Sequence, residues 1–392
     1  MTPHVPLFCL IATTLVPLPV LAQVANVYVA TPKSEIYAYD ASSTGKLTLI
    51  KGSPVPATVN TAIVVNGKYL FGIDKNQSNV DSWLIESDGA LKKNGTTNVT
   101  RFDKDDPGGQ VDVVGTIFLD HTGATLYAGI YDGWEGPVGN PYEFFNIEKG
   151  TGELNYTGQA QGSPPGASPL TFTGNNDFAY GAFCWTGRGS EIRTYTRHND
   201  GALVEGVGGE FPEAPSGDAF CAGDIVAADS TGHLAFSFQA QPPPLLGDPN
   251  GDYLGAYSTS DKGNLTTTST YKNMAMVAGG AGAVLGTMSM SPSGKLLAVT
   301  TGTGVQIFHF NGAKPVTKFT EVIGTSGWIN QIQWDNDNHL YAINGASGKL
   351  HVYTVTTASA VEAHGSPYTI PGGAYDSTTG EASILAVQTL PR

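Results

Sequence analysis

A short pattern that recurs along the whole chain constrains its fold more than any other feature. The clearest copy lies at residues 286–314, where an alternating strand at 287–290 precedes a Ser-Pro-Ser-Gly turn. An apolar run at 296–300 and a third strand at 305–310 follow, each ending in a glycine-containing turn. Three short strands with no helix pattern cannot bury both of their faces alone, so the unit must pack against copies of itself.

The same order of strands and turns occurs at a period of about 45 to 60 residues, which is typical of a propeller or array. The apolar second strands are predicted at 27–30, 69–73, 125–130, 178–183, 234–238, 296–300 and 339–343. The third strands are predicted at 35–39, 80–85, 142–147, 191–196, 254–258, 305–310 and 350–355. Near-copies of an x-Gly-x-Leu turn follow the third strands at Gly45, Gly89, Gly152, Gly201 and Gly263. The repeat therefore predicts an all-β, seven-bladed β-propeller of four-stranded antiparallel blades.

The two ends of the chain complement each other. The first copy of the pattern begins at residue 27 with a second strand, whereas residues 383–389, SILAVQT, form a spare strand near the C-terminus. Pairing the spare strand into the N-terminal blade would close the ring and remove exposed sheet edges. We therefore expect residues 23–392 to form one closed propeller domain.

Composition agrees with a β-fold and limits the partners. The 392 residues include 50 Gly and 24 Pro, and only 14% are charged, which suits strands and turns better than surface helices. The formal net charge is −14. Nucleic acid is not expected as a partner, because phosphate binding needs clustered Lys and Arg. A surface with a net negative charge is better suited to bind cations or neutral sugars.

The N-terminal segment predicts export. Residues 5–21 are apolar and are followed by Ala22, a small residue where signal peptidase cleaves, so residues 1–22 are predicted to be a signal peptide. The segment departs from the usual pattern because its first six residues include no Lys or Arg. Its prolines would make a poor membrane-spanning helix. We expect a secreted or periplasmic protein with no membrane association after cleavage.

Two cysteines remain after the predicted cleavage. Cys184 and Cys221 form an even pair in an oxidising compartment, which predicts a disulfide between loops that flank blade 4. The alternative is a pair of buried free thiols.

Two segments carry a resemblance to a known family. Residues 40–50, DASSTGKLTLI, look like a consensus third strand, turn and fourth strand, and residues 291–299, SPSGKLLAV, look like a consensus first turn and second strand. In both, the chain resembles the seven-bladed lactonase-like propellers, which include bacterial phosphogluconolactonase and carboxymuconate-cyclising enzymes. The resemblance covers the whole mature chain and implies a propeller fold and lactonase chemistry. Family enzymes carry a Gly-Pro-Arg-His segment that this sequence lacks, so the family's catalytic residues cannot be transferred.

One face of the predicted propeller has the longer loops. The second-to-third and fourth-to-first connections open on this side, and we call it the elaborated face because of the loops at 131–141, 184–190 and 239–253. Hydrolysis of a lactone needs a base that activates water and a donor or cation that stabilises the oxyanion. The charged candidates for these catalytic roles are Asp132, Glu135, Arg188 and Asp224, with Asp252 beside them. The alternative is that they are solvated loop charges.

Oxygen ligands and aromatic rings also occur on the elaborated face. Alternate oxygen-bearing side chains that resemble the start of a calcium loop, without a full EF-hand pattern, are Asp248, Asn250 and Asp252. They make a divalent cation such as calcium a candidate cofactor. Aromatic side chains that could stack on a sugar ring, or could instead cap the core, are Trp134, Tyr142, Trp185 and Trp328.

Other chemistry is less favoured. Most histidines fall on the opposite face, which we call the far face, or within strands, and the sequence has no Gly-x-Ser-x-Gly segment, so a Ser-His hydrolase is not expected. Five Asn-x-Ser/Thr sequons begin at Asn76, Asn94, Asn98, Asn155 and Asn264. They would be glycan acceptors in a eukaryotic secretory pathway and would have no meaning in a bacterium.

Two functions remain open. The chain is expected to be either an exported lactonase-like hydrolase of a small lactone or sugar-acid lactone, or a non-catalytic propeller. The second would bind a small ligand, a glycan or a protein partner at the elaborated face. In either case we expect a monomer.

Overall fold

The computed structural model describes residues 22–99, 113–131, 141–160, 168–185, 189–214, 219–241, 251–278, 287–324 and 327–391. Within these ranges the regular structure consists of β-strands, and no helix capable of spanning a membrane occurs. The predicted signal peptide lies outside the described residues except for Ala22, so its cleavage stays a prediction.

The strands form seven antiparallel sheets, or blades, in chain order. The strands of blades 1 to 3 are β1 (Gln23–Thr31), β2 (Glu35–Ser42), β3 (Leu47–Leu49), β4 (Val55–Pro56), β5 (Val59–Val65), β6 (Tyr69–Asp74), β7 (Asn79–Ile85), β8 (Leu91–Asn98), β9 (Val113–Leu119), β10 (Thr125–Tyr131), β11 (Tyr142–Ile147) and β12 (Leu154–Ala160). Those of blades 4 and 5 are β13 (Thr171–Phe172), β14 (Phe178–Trp185), β15 (Gly189–Arg197), β16 (Leu203–Glu205), β17 (Ala219–Ala228), β18 (His233–Gln241), β19 (Asp252–Thr259), β20 (Leu265–Thr267) and β21 (Ala275–Met276). Those of blades 6 and 7 are β22 (Met288–Met290), β23 (Leu296–Thr301), β24 (Gly304–Asn311), β25 (Lys314–Lys318), β26 (Ile329–Trp334), β27 (His339–Asn344), β28 (Lys349–Val355), β29 (Ala360–Glu362) and β30 (Tyr368–Thr369).

These sheets confirm the seven-bladed all-β fold. Each predicted second strand and each predicted third strand lies within an observed strand, and the third strand of blade 3, β11, has the predicted bounds. The short strands β4, β21 and β30 extend their sheets by pairing with the third strands β2, β19 and β28. Apolar side chains on both sides of each sheet pack against the next blade, as Leu254 of blade 5 does with Leu297 and Phe308 of blade 6.

The C-terminal strand closes the ring, as the sequence predicts. The last strand, β31 (Ile384–Thr389), pairs antiparallel with β1 and completes blade 1 as its innermost strand. Its other edge is bonded to blade 7, where Gln333 accepts a hydrogen bond from the Val387 amide at 2.8 Å and donates one to the Leu385 carbonyl at 3.1 Å. Both edges of the closing strand therefore have hydrogen-bond partners. The inner edge of an innermost strand would otherwise present unpaired amide and carbonyl groups.

Three of the x-Gly-x-Leu turns are hydrogen-bonded to the preceding blade. Three buried tyrosines of second strands donate hydrogen bonds to the turn glycine of the next blade, as Tyr28 to Gly89 O at 3.0 Å, Tyr127 to Gly201 O at 2.8 Å and Tyr180 to Gly263 O at 2.9 Å. Gly201 has a φ of 89°, a conformation that favours glycine. A Cβ there would also lie 2.4 Å from Thr125 Oγ1. The repeat that identifies the fold therefore has a direct role in packing the blades.

Blades 4 and 5 differ from the prediction because their strands are longer. Strands β14 and β15 pair up to Trp185 and Gly189, so the expected loop at 184–190 is a short connection between strands. In blade 5, Asp224 lies within β17 rather than in a loop, and Asp252 begins β19. Hydrogen bonding between neighbouring strands extends them beyond the apolar runs that marked them in the sequence.

Candidate functional site

Many of the predicted site residues lie outside the described residues. Those for which nothing can be described are Asp132, Trp134, Glu135, Arg188, Asp248 and Asn250. Only the backbone is described for Cys184, Trp185 and Asp224. The side chains that can be placed are therefore those of Tyr142, Trp328, Asp252 and Cys221.

Asp252 has the most unusual surroundings of these residues. It is the first residue of β19 and only 6% exposed. Its Oδ2 atom is buried and has no hydrogen-bond partner among the described residues, and burial raises the pKa of the carboxyl group to about 6. Because alternate residues of a strand share a face, Asp252 points to the same side as Leu254, towards blade 6. A carboxylate in such a position can accept a proton from a bound molecule near neutral pH.

The backbone around Asp252 is held by neighbouring segments. The Val277 amide donates to the Asp252 carbonyl at 2.8 Å, and the next amide, of Ala278, donates to Gln306 Oε1 of blade 6 at 2.8 Å. The Gln306 amide nitrogen donates in turn to the Thr320 carbonyl at 3.2 Å. Residues 277–278 therefore connect the start of β19 to blade 6, and the position of Asp252 is fixed by hydrogen bonds on both sides.

Two other buried polar residues of third strands have partners on their side chains. Asp81 of blade 2 accepts a hydrogen bond from Thr96 and lies 2.6 Å from Lys93 Nζ. His351 of blade 7 contacts Glu362 through Nδ1 at 2.8 Å. The Oδ2 atom of Asp252, which pairs with no described residue, differs from these two groups. A buried polar atom without a partner carries a desolvation cost, and a catalytic role or a bound ion can account for it.

The backbone of Asp224 lies in a β-bulge of the same blade. The register between β17 and β18 shifts between Ala222 and Val226, so residues 223–225 form the bulge. In β18, Gln239 pairs with Asp252. Asp224 and Asp252 therefore belong to one sheet, on two strands that are separated by β18, and Asp224 lies beyond the position of β17 that is level with Asp252. Bulges are common beside active sites, where they redirect a side chain.

Tyr142 does not lie where a ligand could stack on it. It is buried, its hydroxyl donates to the Ser168 carbonyl at 2.8 Å, and its ring meets Phe118 and Tyr195 at centroid distances of 5.6 and 5.9 Å. These contacts fill the core between blades 3 and 4. The position corresponds to the core-capping alternative, because neighbouring aromatic rings occupy the space that a ligand would need.

Trp328 and Asn330 form the other part of the elaborated face that can be described. Trp328 is half-buried and its ring lies over Gly345, where a Cβ atom would be 2.9 Å from two ring carbons. Asn330 donates through Nδ2 to the Ser383 carbonyl, while its buried Oδ1 atom has no hydrogen-bond partner among the described residues. The sequence marks Trp328 but not Asn330. Three of the six residues of this strand, INQIQW, are polar, so no sequence signal singles out Asn330.

Charged side chains between blades 1, 2 and 7 are paired. Lys75 lies 3.7 Å from Glu381, and Lys33 lies 3.7 Å from Asp376. The positive charges of Lys75 and Lys33 are therefore already partly neutralised. Among the described residues, no group of three His, Cys, Asp or Glu side chains could hold a metal ion. A cation at Asp252 would need Asp248 and Asn250, whose positions are outside the described ranges.

The predicted disulfide joins two neighbouring blades. Cys221 is buried in β17, the innermost strand of blade 5, and the backbone of Cys184 lies in β14 of blade 4. The two strands pack against each other. Since the side chain of Cys184 is outside the described residues, the bond stays a prediction.

Comparisons with known proteins identify the fold of this chain but no closer relationship. No protein-family model matches the chain, and no curated protein matches it. A solved protein from Lactobacillus plantarum is similar, with a TM-score of 0.61, 13% identity, and coverage of 94% of this chain and 100% of that one. A periplasmic gluconolactonase from Pseudomonas aeruginosa is similar with a TM-score of 0.59, 12% identity, and coverage of 88% and 97%. The chain therefore has the fold of the seven-bladed lactonase-like propellers.

Proposed function

We propose that this protein is an exported hydrolase that opens a small lactone or sugar-acid lactone at the elaborated face. The observation that carries the proposal is the buried carboxyl group of Asp252, whose Oδ2 has no partner within the described ranges and whose pKa is about 6. A general base is most effective when its pKa is near the working pH. The gluconolactonase of similar fold supports the substrate class and its periplasmic location supports export, both by analogy.

In the proposed reaction Asp252 accepts a proton from a water molecule. The resulting hydroxide attacks the lactone carbonyl carbon, and a donor stabilises the tetrahedral oxyanion. Arg188 is the residue we assign to this donor role, while Asp132, Glu135 and Asp224 are candidates to orient the water and the leaving oxygen. When the ring C–O bond breaks, the proton returns from Asp252 to the leaving oxygen. One lactone and one water give one hydroxy acid, which releases a proton at neutral pH.

Binding of a divalent cation is an alternative role for Asp252. Its unpaired oxygen suits calcium, which prefers carboxylate and carbonyl ligands, and Asp248 and Asn250 would complete the ligand set. Calcium would then stabilise the oxyanion in place of Arg188. The two roles differ in one respect that can be measured, because only the second makes the melting temperature and the activity depend on calcium and on chelators.

The proposal is tested by measuring proton release from a panel of γ- and δ-lactones, corrected for spontaneous hydrolysis. We expect Asp252→Asn to lower kcat/KM by about 100-fold or more. The control is Asp261→Asn, the same chemical change at an exposed position of the far face, which should leave kcat/KM within about twofold of the wild type. The wild-type kcat/KM should rise with pH around 6, as the Asp252 carboxyl group ionises.

Other outcomes would select the alternative. If the wild type hydrolyses no lactone of the panel, the hydrolase proposal fails and the second function is favoured, a propeller that binds a ligand, glycan or protein at the same face. If the wild type is active and Asp252→Asn is equally active, the reaction class stands and the assignment of the base is wrong.

A further inference from the structure

The outer edges of the blades differ in length and therefore in their tendency to pair with other chains. The outermost strands of blades 1, 4, 5 and 7 have three residues each, and that of blade 6 has five. In contrast, β8 of blade 2 has eight residues and β12 of blade 3 has seven. A long outer strand presents a row of unpaired amide and carbonyl groups, which can pair with the edge of another molecule.

The two long edges are protected to different extents. Strand β8 carries Lys92 and Lys93, both exposed, and charged residues on an edge oppose pairing. Strand β12 has the sequence LNYTGQA, with no charged residue and no proline. Tyr156 on this strand is 36% exposed, which adds an aromatic surface to the edge. One device against edge pairing is present, a β-bulge at Thr157, where the pairing shifts between Phe144 and Phe145. The described residues provide no other.

A glycosylation sequon lies on this edge. Asn155, Tyr156 and Thr157 form the sequon, and Asn155 is exposed in β12, where it pairs with Asn146 of β11. Its side-chain amide makes no hydrogen bond to the described residues, and Thr157 is exposed as well. By comparison, the amide of Asn94 in β8 already donates to the Thr151 carbonyl at 2.7 Å and to Ser82 Oγ at 3.2 Å. A glycan on Asn155 would therefore disturb no hydrogen bond of the fold.

We infer that Asn155 is an N-glycosylation site and that its glycan protects the outer edge of blade 3 from intermolecular strand pairing. The inference rests on the proposed export, and it requires a eukaryotic secretory pathway. In the modification, Asn155 Nδ2 attacks the anomeric carbon of a lipid diphosphate-linked oligosaccharide. A C–N bond forms, the C–O bond to the diphosphate breaks, and the amide proton leaves. The attached glycan is bulky and hydrophilic, so a second strand edge cannot approach β12.

The test uses the full chain expressed in a eukaryotic secretory host, once with its own N-terminal segment and once behind a generic leader. Peptide mass spectrometry of protein from the medium, with enzymatic deglycosylation in isotopically labelled water, measures occupancy at each sequon. We expect most molecules to be occupied at Asn155. Secreted protein without a glycan at Asn155 would overturn the inference. If the protein reaches the medium only behind the generic leader, export by its own N-terminal segment is refuted. Glycan occupancy at Asn155 can then still be measured on the protein secreted with the generic leader.

The protective role is tested by association of the secreted protein in solution. We expect Asn155→Gln to increase the high-molecular-weight fraction in size-exclusion chromatography several-fold over the wild type at equal concentration. The matched control, Asn264→Gln, removes an exposed sequon that precedes a strand of only three residues, and should change this fraction little. Wild-type protein deglycosylated under native conditions should behave like Asn155→Gln, which separates the glycan from the substitution. Equal association of both variants would refute the protective role.

Discussion

Two buried aspartates on opposite faces of the ring have contrasting surroundings. On the far face, Asp335 of blade 7 accepts four hydrogen bonds, from the amides of Asp337 and His339, from His339 Nδ1 at 2.7 Å and from the Tyr341 hydroxyl at 2.8 Å. On the elaborated face, Asp252 of blade 5 is buried to a similar degree, and no described residue pairs with its Oδ2. The comparison teaches that burial alone does not distinguish a structural carboxylate from a candidate functional one, because the hydrogen bonds to each oxygen atom must be compared as well.

The same comparison can be made for the faces themselves. The far face is made of short turns that recur from blade to blade, and tyrosine hydroxyls and histidine side chains of one blade contact the turn glycine of the next. Buried polar atoms without a partner among the described residues occur on both faces, in Asp252 and Asn330 on the elaborated face and in Asp40 and Thr259 on the far face. The recurring turns are the reason why we interpret the far face as the structural side of the ring.

The largest expected effect is the removal of Asp335. Asp335→Ala would leave His339, the Tyr341 hydroxyl and two backbone amides without an acceptor in the core, and we expect a loss of about 3–5 kcal/mol in the free energy of unfolding. Asp335→Asn, which keeps one acceptor oxygen, should cost less. Urea denaturation measures both. The control is Asp261→Ala at an exposed far-face turn, and a cost for Asp335→Ala no larger than for this control would contradict the structural assignment.

The predicted disulfide would give the elaborated face a covalent restraint that the far face lacks. Cys221→Ser and Cys184→Ser should each lower the free energy of unfolding by about 2–4 kcal/mol, with no further loss in the double variant. A reductant should destabilise the wild type and leave the variants unchanged. Peptide mapping without reduction should recover the two cysteines in one linked peptide. A wild type that is insensitive to reductant would contradict the bond.

Asp252 should affect stability in the direction opposite to Asp335. Burial raises its pKa to about 6 from an ordinary value of 3.8, so the folded state binds this proton more tightly than the unfolded state. The protonated carboxyl group of Asp252 therefore contributes to the free energy of unfolding at low pH. This contribution is lost as the pH rises from about 4 to about 6. The neutral side chain of Asp252→Asn avoids this loss, and above pH 6 the variant should be more stable than the wild type by roughly 2–3 kcal/mol. Parallel pH profiles of urea denaturation for the two proteins would contradict this.

The smallest expected effect concerns the turns that join the blades on the far face. Tyr127→Phe removes the hydrogen bond to the Gly201 carbonyl but keeps the ring, and should cost about 1 kcal/mol. Tyr28→Phe and Tyr180→Phe, which remove the equivalent bonds, should cost similar amounts. The control is Tyr375→Phe, where the ring is exposed and the expected change is near zero. Thermal melts of the four variants make the comparison.

The sequence by itself determined the all-β class, the seven blades, the second and third strands and the closure by the C-terminal strand. Each of these depends on local alternation of apolar residues and on turn residues, which repetition makes visible seven times. The sequence also directed attention to Asp252, as one carboxylate among several on the elaborated face.

Only the tertiary structure decided which of these residues are buried and which of their polar atoms have hydrogen-bond partners. Tyr142 was predicted either to stack on a ligand or to cap the core, and it lies in the core between two blades. Asp252 was predicted in a loop and begins a buried strand. The partners of the x-Gly-x-Leu turns also became clear only in three dimensions, since Tyr127 and Gly201 belong to different blades. In each case the deciding contacts join blades that are distant in sequence. A residue's type does not reveal whether such contacts will bury it, satisfy it or leave one oxygen atom free.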